Sequence, residues 1–315
     1  DNVPARVLRA RLRADVEDFA GARAEIDRAL RAQPDDADAL AFAIALAVVT
    51  ADSATARSLR DRFAARYPGD ARAHVATGEL LARVRQYGLA AQFARQGTRT
   101  DPRNWTAHSV LGLNLMRLGD IEQARRSLET SFEGDPYNVW VKNTLDLLDT
   151  YGEYDVIDRD RFRFVIEKPE SALLSLYMGE LLDSAWNVFV RRYGFTPTGP
   201  VRVEVYRSHA DFSVRTVGLA GLGALGVSFG NTIAFDSPAA KDAGSFNWAS
   251  TAWHEIAHTF TLGASDMRVP RWFSEGLSVF EERRGRRGWG QNVSPAFLQA
   301  FAEDRLQPAS RLNDG

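Results

Sequence analysis

The chain has 315 residues, 45% of them apolar, a formal charge of −2 and no cysteine. That is about twice an ordinary domain, so two folded domains are expected, and near-neutral interspersed charge offers no basic field for nucleic acid. Without cysteine there is no disulfide framework and no thiolate ligand, so any metal must be held by histidine and carboxylate.

Pro34, Pro68, Pro102 and Pro136 recur at intervals of 34 residues, and Ala22, Ala56, Ala90 and Ala124 keep the same interval. Leu111-Gly112, Gly119, Ala124 and Pro136 fall at the offsets of a helix–turn–helix repeat: a small residue where the helices cross, a turn glycine and a closing proline. Ile44 and Ala10 occupy the Gly112 phase in the earlier, more degenerate repeats. The pattern resembles the tetratricopeptide family over roughly residues 1–136. That resemblance implies an all-α solenoid whose concave face receives a peptide or partner protein, or else a spacer or scaffold. His74 and His108 share one phase beside the crossing position and read as packing residues. The longest apolar run, Ala39 to Val49, is far shorter than the roughly 20 residues of a membrane-spanning helix, so no span is expected.

Asn138 to Tyr151, with Val139, Val141, Leu145 and Leu148 apolar, reads as a last helix shielding the array, which gives a first domain of residues 1–152. Residues 153–315 change character. Phe162, Phe164 and Ile166, and later Val201, Val203 and Val205, alternate with other residues as in strands. Between them Leu173, Leu174, Tyr177, Leu181, Ala185, Trp186 and Phe189 form a helical stripe, so this domain is α+β. The glycine-rich residues 218–230 read as a mobile loop feeding an edge strand at Asn231–Phe235, and they lack the pattern of a phosphate loop. His209 reads as a turn residue after the Val201–Tyr206 strand, of functional interest only if it lies near a metal.

His254-Glu255-Ile256-Ala257-His258 is H-E-x-x-H. On a helix the two imidazoles lie one turn apart and reach a single ion, while Glu255 stands beside it to handle a proton. Trp253, Ile256, Ala257 and Phe260 form a buried stripe next to them; Asn247 can cap the helix and Gly263 end it. Catalytic zinc usually takes a third protein ligand and keeps one position for water. The next candidate segment is Pro270 to Glu282, opened by proline and closed by Gly285, in which Trp272, Phe273, Leu277, Val279 and Phe280 would anchor Glu275 in a core. Glu282 lies two turns beyond Glu275 and could accept a hydrogen bond from a ligand histidine; otherwise Glu281 and Glu282 solvate the helix end beside Arg283 and Arg284.

H-E-x-x-H followed by W-F-x-E-G resembles the gluzincin metallopeptidases, in particular the peptidase MA-like family. Ala210 to Gly218, Gly226-Val-Ser-Phe-Gly230, Asp236-Ser-Pro238 and Phe246-Asn-Trp248 extend the likeness over roughly residues 155–285. The resemblance implies a zincin-like domain with one zinc ion per chain, held by His254, His258 and Glu275, with Glu282 behind the ligands, and a tetratricopeptide array ahead of it. The sixteen residues between His258 and Glu275 are fewer than in the zinc aminopeptidases, and the G-x-M-E-N anchor for a free amino terminus is absent, which disfavours an aminopeptidase.

The expected activity is zinc-dependent hydrolysis of peptide bonds in a peptide or protein, with Glu255 as general base. Extended substrate would pair with the edge strand around Ser228, Phe229, Gly230, Asn231 and Thr232, which favours an endopeptidase. The competing expectation is a non-catalytic repeat scaffold with a metal-binding pseudo-peptidase domain. No tyrosine follows Tyr206 and His209 lies before the zinc helix, so the tyrosine or histidine that stabilises the oxyanion in such enzymes is expected beyond Gly315. The family likeness and the start at Asp1 without methionine suggest a bacterial chain, exported or periplasmic, with its signal removed.

Overall fold

Each proline-ended segment of the first unit folds as a helix pair. The computed structural model describes residues 2–290, 292–308 and 312, and the chain divides into two units, Asp1–Leu145 and Asp146–Gly315. The helices are α1 (Val3–Asp15) with α2 (Phe19–Ala32), α3 (Ala37–Val49) with α4 (Ser53–Arg66), α5 (Arg72–Arg83) with α6 (Tyr87–Thr100), and α7 (Trp105–Leu118) with α8 (Ile121–Gly134). The second helices start 34 residues apart because their signals do. Asp18, Asp52 and Asp120 each cap the helix that follows by accepting the N–H three residues on. Ala22, Ala56, Ala90 and Ala124 are buried where the helices meet. At the crossing phase a Cβ on Gly112 would lie 2.6 Å from Leu128, and one on Gly78 would lie 3.2 Å from the Ala90 carbonyl. The turn inside each pair needs a left-handed residue. Gly119 supplies it at φ 81°, whereas Glu17, Ala51 and Arg85 adopt it at 60°, 58° and 63° without the freedom of glycine. The unit is thus an all-α array of helix pairs repeating every 34 residues. His108 donates from Nε2 to the Pro102 carbonyl at 3.1 Å, and His74 packs beside Phe93.

Across this array α3 is enclosed: Ala37, Ala39–Phe42 and Ile44–Ala47 are buried, while Arg11–Glu79 and Asp15–Arg83 pairs, each 3.3 Å, link α1 to α5. The division between the units falls within α9 (Val139–Asp149), earlier than the boundary expected after residue 152.

The second unit is built on a five-stranded sheet. Its strands are β1 (Tyr154–Asp158), β2 (Phe162–Glu167), β3 (Val201–Tyr206), β4 (Gly226–Ser228) and β5 (Thr232–Asp236), in the order β1-β2-β3-β5-β4. The pairs β2/β3 and β3/β5 are parallel; β1 and β4 pair antiparallel at the two edges. The parallel steps cross through α10 (Lys168–Tyr193) and α11 (His209–Val217). The expectation of an edge strand at Asn231–Phe235 is therefore corrected. Thr232–Asp236 is interior, and β4 is the edge beside it.

Alternation sets the two faces. Phe162, Phe164, Ile166, Val201, Val203, Val205, Ile233 and Phe235 pack against α10 and against α12 (Trp248–Ala264). Val165, Tyr206 and Ala234 point the other way, onto Phe212 of α11 and Leu147. The buried stripe of α10 is Leu174, Met178, Leu182, Ala185, Trp186 and Phe189; Leu173 and Tyr177, expected in it, are exposed. Behind β3, buried Glu204 accepts from Arg215 Nε and Arg202 Nε at 2.5 Å each, and Arg215 stacks over Phe229, so α11 is tied to the sheet and to the β4–β5 turn. Helices α13 (Arg271–Gly285) and α14 (Pro295–Ala302) complete the described elements.

Candidate metal centre

Helix α12 is specified locally. Asn247 accepts the Ser250 N–H at 3.2 Å at its start, and Trp253, Ile256, Ala257 and Phe260 are buried against the sheet and α10. Phe260 lies 5.3 Å from Trp186 and 5.5 Å from Phe189, ring to ring, so the helix cannot rotate without breaking the core. That leaves His254 and His258 on the flank facing α13. Gly285 is the last residue of α13 and Gly263 the last but one of α12, as expected of helix ends, and both also serve close packing: a Cβ at either would lie within 2.8 Å of Phe195 or Trp253.

The packing of α13 differs from expectation. Phe273 and Phe280 are exposed, and the buried face is Ser274, Ser278 and Glu281. Small side chains let α13 approach α12 closely, and Glu281 is held by Arg192 and by Tyr193 Oη at 3.0 Å. Glu281 and Glu282 therefore do not simply solvate the helix end.

The facing helices bring together His254, His258 and Glu275. Nε2 of His254 and Nε2 of His258 are 3.1 Å apart, and Glu275 Oε2 stands 3.2 and 3.3 Å from them. Three donors bound at zinc distances in a tetrahedron are separated by about 3.3 Å, so this triangle fits such an ion. The outer nitrogens reinforce the fit. His254 Nδ1 donates to Glu282 Oε1 at 2.7 Å, and Glu282 also accepts from Ser250 Oγ at 2.5 Å. His258 Nδ1 lies 2.8 Å from Ser274 Oγ; a hydroxyl chain from Ser274 through Thr261 (3.2 Å) to the His258 carbonyl (3.3 Å) makes Ser274 the acceptor. With both Nδ1 atoms protonated, both Nε2 lone pairs converge with a carboxylate oxygen. Such an arrangement suits a cation.

The electrostatics agree. Burial opposes a charged His254, but its hydrogen bonds to Glu275 and Glu282 carry its pKa up to about 10. Hydrogen bonds from His254 and His258 hold Glu275 far below the usual carboxylate range. Glu255 moves the other way: burial pushes it up to about 8 despite the His254 charge, and Oε2 has no partner among the described residues. The edge strand passes directly over it, since a Cβ on Gly226 would lie 2.5 Å from Glu255 Oε1.

Of the residues expected to hold substrate, Ser228 ends β4, Phe229, Gly230 and Asn231 form the turn, and Thr232 opens the interior strand. The ladder pairs Leu225 with Asp236 and Phe229 with Thr232, so by alternation Gly226 and Ser228 direct their main-chain groups away from β5. Thr259, next to ligand candidate His258, donates to the Gly230 carbonyl at 2.8 Å. Sequence reasoning misses Ser250, Thr259, Thr261 and Ser274; the available signal is the row of small hydroxyl residues on otherwise apolar helices. His209 belongs to a separate cluster with Asp236.

No protein-family model and no curated protein matches the chain. Among solved structures, it is similar to MamA (16% identity, TM-score 0.31, covering 44% of this chain and 81% of that one). YrrB, described as a TPR protein with an unusual peptide-binding site, has 19% identity and a TM-score of 0.30, covering 48% of this chain and 78% of that one. PilF of Pseudomonas aeruginosa has 13% identity and a TM-score of 0.35, covering 96% and 97%. Scores this low carry no argument, and the repeat architecture rests on the chain's own 34-residue phase.

Proposed function

We propose that the second unit is a zinc-dependent peptidase, an endopeptidase, with His254, His258 and Glu275 as ligands and Glu255 as general base. The observation that carries this reading is the triangle of Nε2, Nε2 and Oε2 with 3.1–3.3 Å sides, its outer nitrogens fixed by Glu282 and Ser274. An ion held there supplies Lewis-acid polarisation of a carbonyl and acidification of water. Glu255 accepts a proton from the attacking water at its carboxylate and delivers it to the leaving amine nitrogen, so that hydroxyl joins the carbonyl carbon and hydrogen the nitrogen. Its buried Oε2, without a partner among the described residues, suits that task. An extended peptide pairs with the outward main-chain groups of Gly226 and Ser228, which selects peptides over other amides and tolerates many sequences. The helical array recruits the substrate or a partner protein, as stacked repeats offer a concave face.

The test is bound zinc by elemental analysis together with casein hydrolysis, for wild type and Glu255→Gln. One zinc per chain in both, with cleavage by wild type alone, is expected. Zinc in neither protein refutes the reading and favours a repeat scaffold.

A further inference from the structure

Ahead of the edge strand, three chain segments that the mechanism does not use meet at one imidazole. His209, the first residue of α11, has Nδ1 2.7 Å from Asp236 Oδ2 and Nε2 2.7 Å from the Leu222 carbonyl oxygen. Asp236 ends β5 and is fully buried; its Oδ1 has no partner among the described residues, and Lys241 Nζ stands 3.9 Å from Oδ2. Leu222 lies in the middle of the glycine-rich segment. Its N–H donates to buried Ser213 Oγ at 3.1 Å, and its side chain packs on the core around Phe212 and Val165. On either side Ala220, Gly221, Gly223 and Ala224 are exposed. Just beyond them the Leu225 carbonyl accepts the Asp236 N–H at 3.0 Å, the first rung of the β4–β5 ladder. The segment expected to be a mobile loop is thus pinned at its centre.

The partners define the protons. A main-chain carbonyl only accepts, so His209 Nε2 carries hydrogen; the Nδ1–carboxylate contact needs a second, held by the imidazole or by Asp236. We infer that His209 and Asp236 form a clasp that fixes the lead-in to β4, which makes His209 a positioning residue for the strand on which an extended peptide pairs. Its effect on substrate rests on the peptidase reading; the clasp itself does not. Glycine at 221 and 223 gives the backbone the freedom to leave once the carbonyl is released, and Leu222 alone would then have to hold the approach to Gly226.

Hydrogen exchange of the zinc-loaded full chain tests this. His209→Ala should speed exchange over residues 219–228 by about tenfold or more, while α12 amides and zinc content stay as in wild type. Asp236→Asn should keep protection within about threefold of wild type, because an Asn amide can donate to Nδ1 of a neutral imidazole whose Nε2–H still serves Leu222. In casein hydrolysis His209→Ala should raise KM several-fold and leave kcat within about twofold. Unchanged exchange in His209→Ala, or an equal rise throughout α12, overturns the clasp; an unchanged KM in a loosened variant overturns the positioning role. Wild type without zinc or casein cleavage would overturn the peptidase reading, and the exchange experiment would still decide for or against the clasp.

Discussion

Zinc affinity should depend steeply on pH, because the cluster holds protons that an arriving ion must displace. In chelator-treated protein His254 keeps its proton up to about pH 10, burial being outweighed by the hydrogen bonds to Glu275 and Glu282. Glu255, pushed up by burial, keeps its own up to about pH 8. A divalent ion takes the His254 lone pair and favours ionised Glu255, so roughly two protons should leave per ion near pH 6.5 and roughly one near pH 9. Each displaced proton changes the apparent affinity tenfold per pH unit, about 1.4 kcal/mol. The Kd for zinc should therefore fall roughly a hundredfold per unit around pH 6.5 and roughly tenfold per unit around pH 9. Titration calorimetry in buffers of different ionisation enthalpy counts the protons, and chelator competition gives the affinity. Glu255→Gln should release about one proton at both ends of that range. Less than about half a proton per ion throughout, or equal counts in the two proteins, would refute the assignment of these protons to His254 and Glu255.

The same shifts reverse sign for the stability of the chelated protein. Both pKa values are raised on folding, so their contributions are complete below the ordinary values of 4.5 and 6.5 and are lost as pH rises through about 8 and 10; urea midpoints of metal-free protein should fall over that range. Ser274→Ala removes the acceptor for His258 Nδ1 and should weaken zinc binding by about 10–100-fold by chelator competition, with melting little changed; full affinity would deny Ser274 that role. Glu204→Gln removes the carboxylate charge facing the buried Arg215 guanidinium and should cost about 3–5 kcal/mol in urea unfolding, whereas a loss below about 1 kcal/mol would mean the pair is solvated. Ala51→Gly relieves a left-handed turn residue and should stabilise the array by about 0.5–1 kcal/mol; a destabilised variant would show that the turn is not strained.

The cluster of His254, His258 and Glu275 is legible in the sequence because its signals are local: H-E-x-x-H on a helix with a clear buried stripe, then a proline-opened helix bearing Glu275. The repeats are legible because one phase recurs four times. The edge strand is not, since strand order is set by the crossover through α11, which no local pattern encodes, and because Gly226–Ser228 is too short to show alternation. In α13 the apolar residues suggest a core, yet the helix packs through serines, whose small size is what lets Glu275 reach the histidines. The pairing of His209 with Asp236 joins positions remote in sequence, and only the fold brings them together.

The β4–β5 hairpin is fastened to α12 at two points, Gly226 against Glu255 and the Gly230 carbonyl on Thr259 Oγ1. Between those bolts the strand acts as a ruler. A residue inserted at the turn, at Asn231, would lengthen a surface bend and leave the scale intact. One inserted between Gly226 and Ser228 would shift the ruler by one notch, turning inward main-chain groups outward and, on the peptidase reading proposed above, setting the wrong peptide bond beside Glu255.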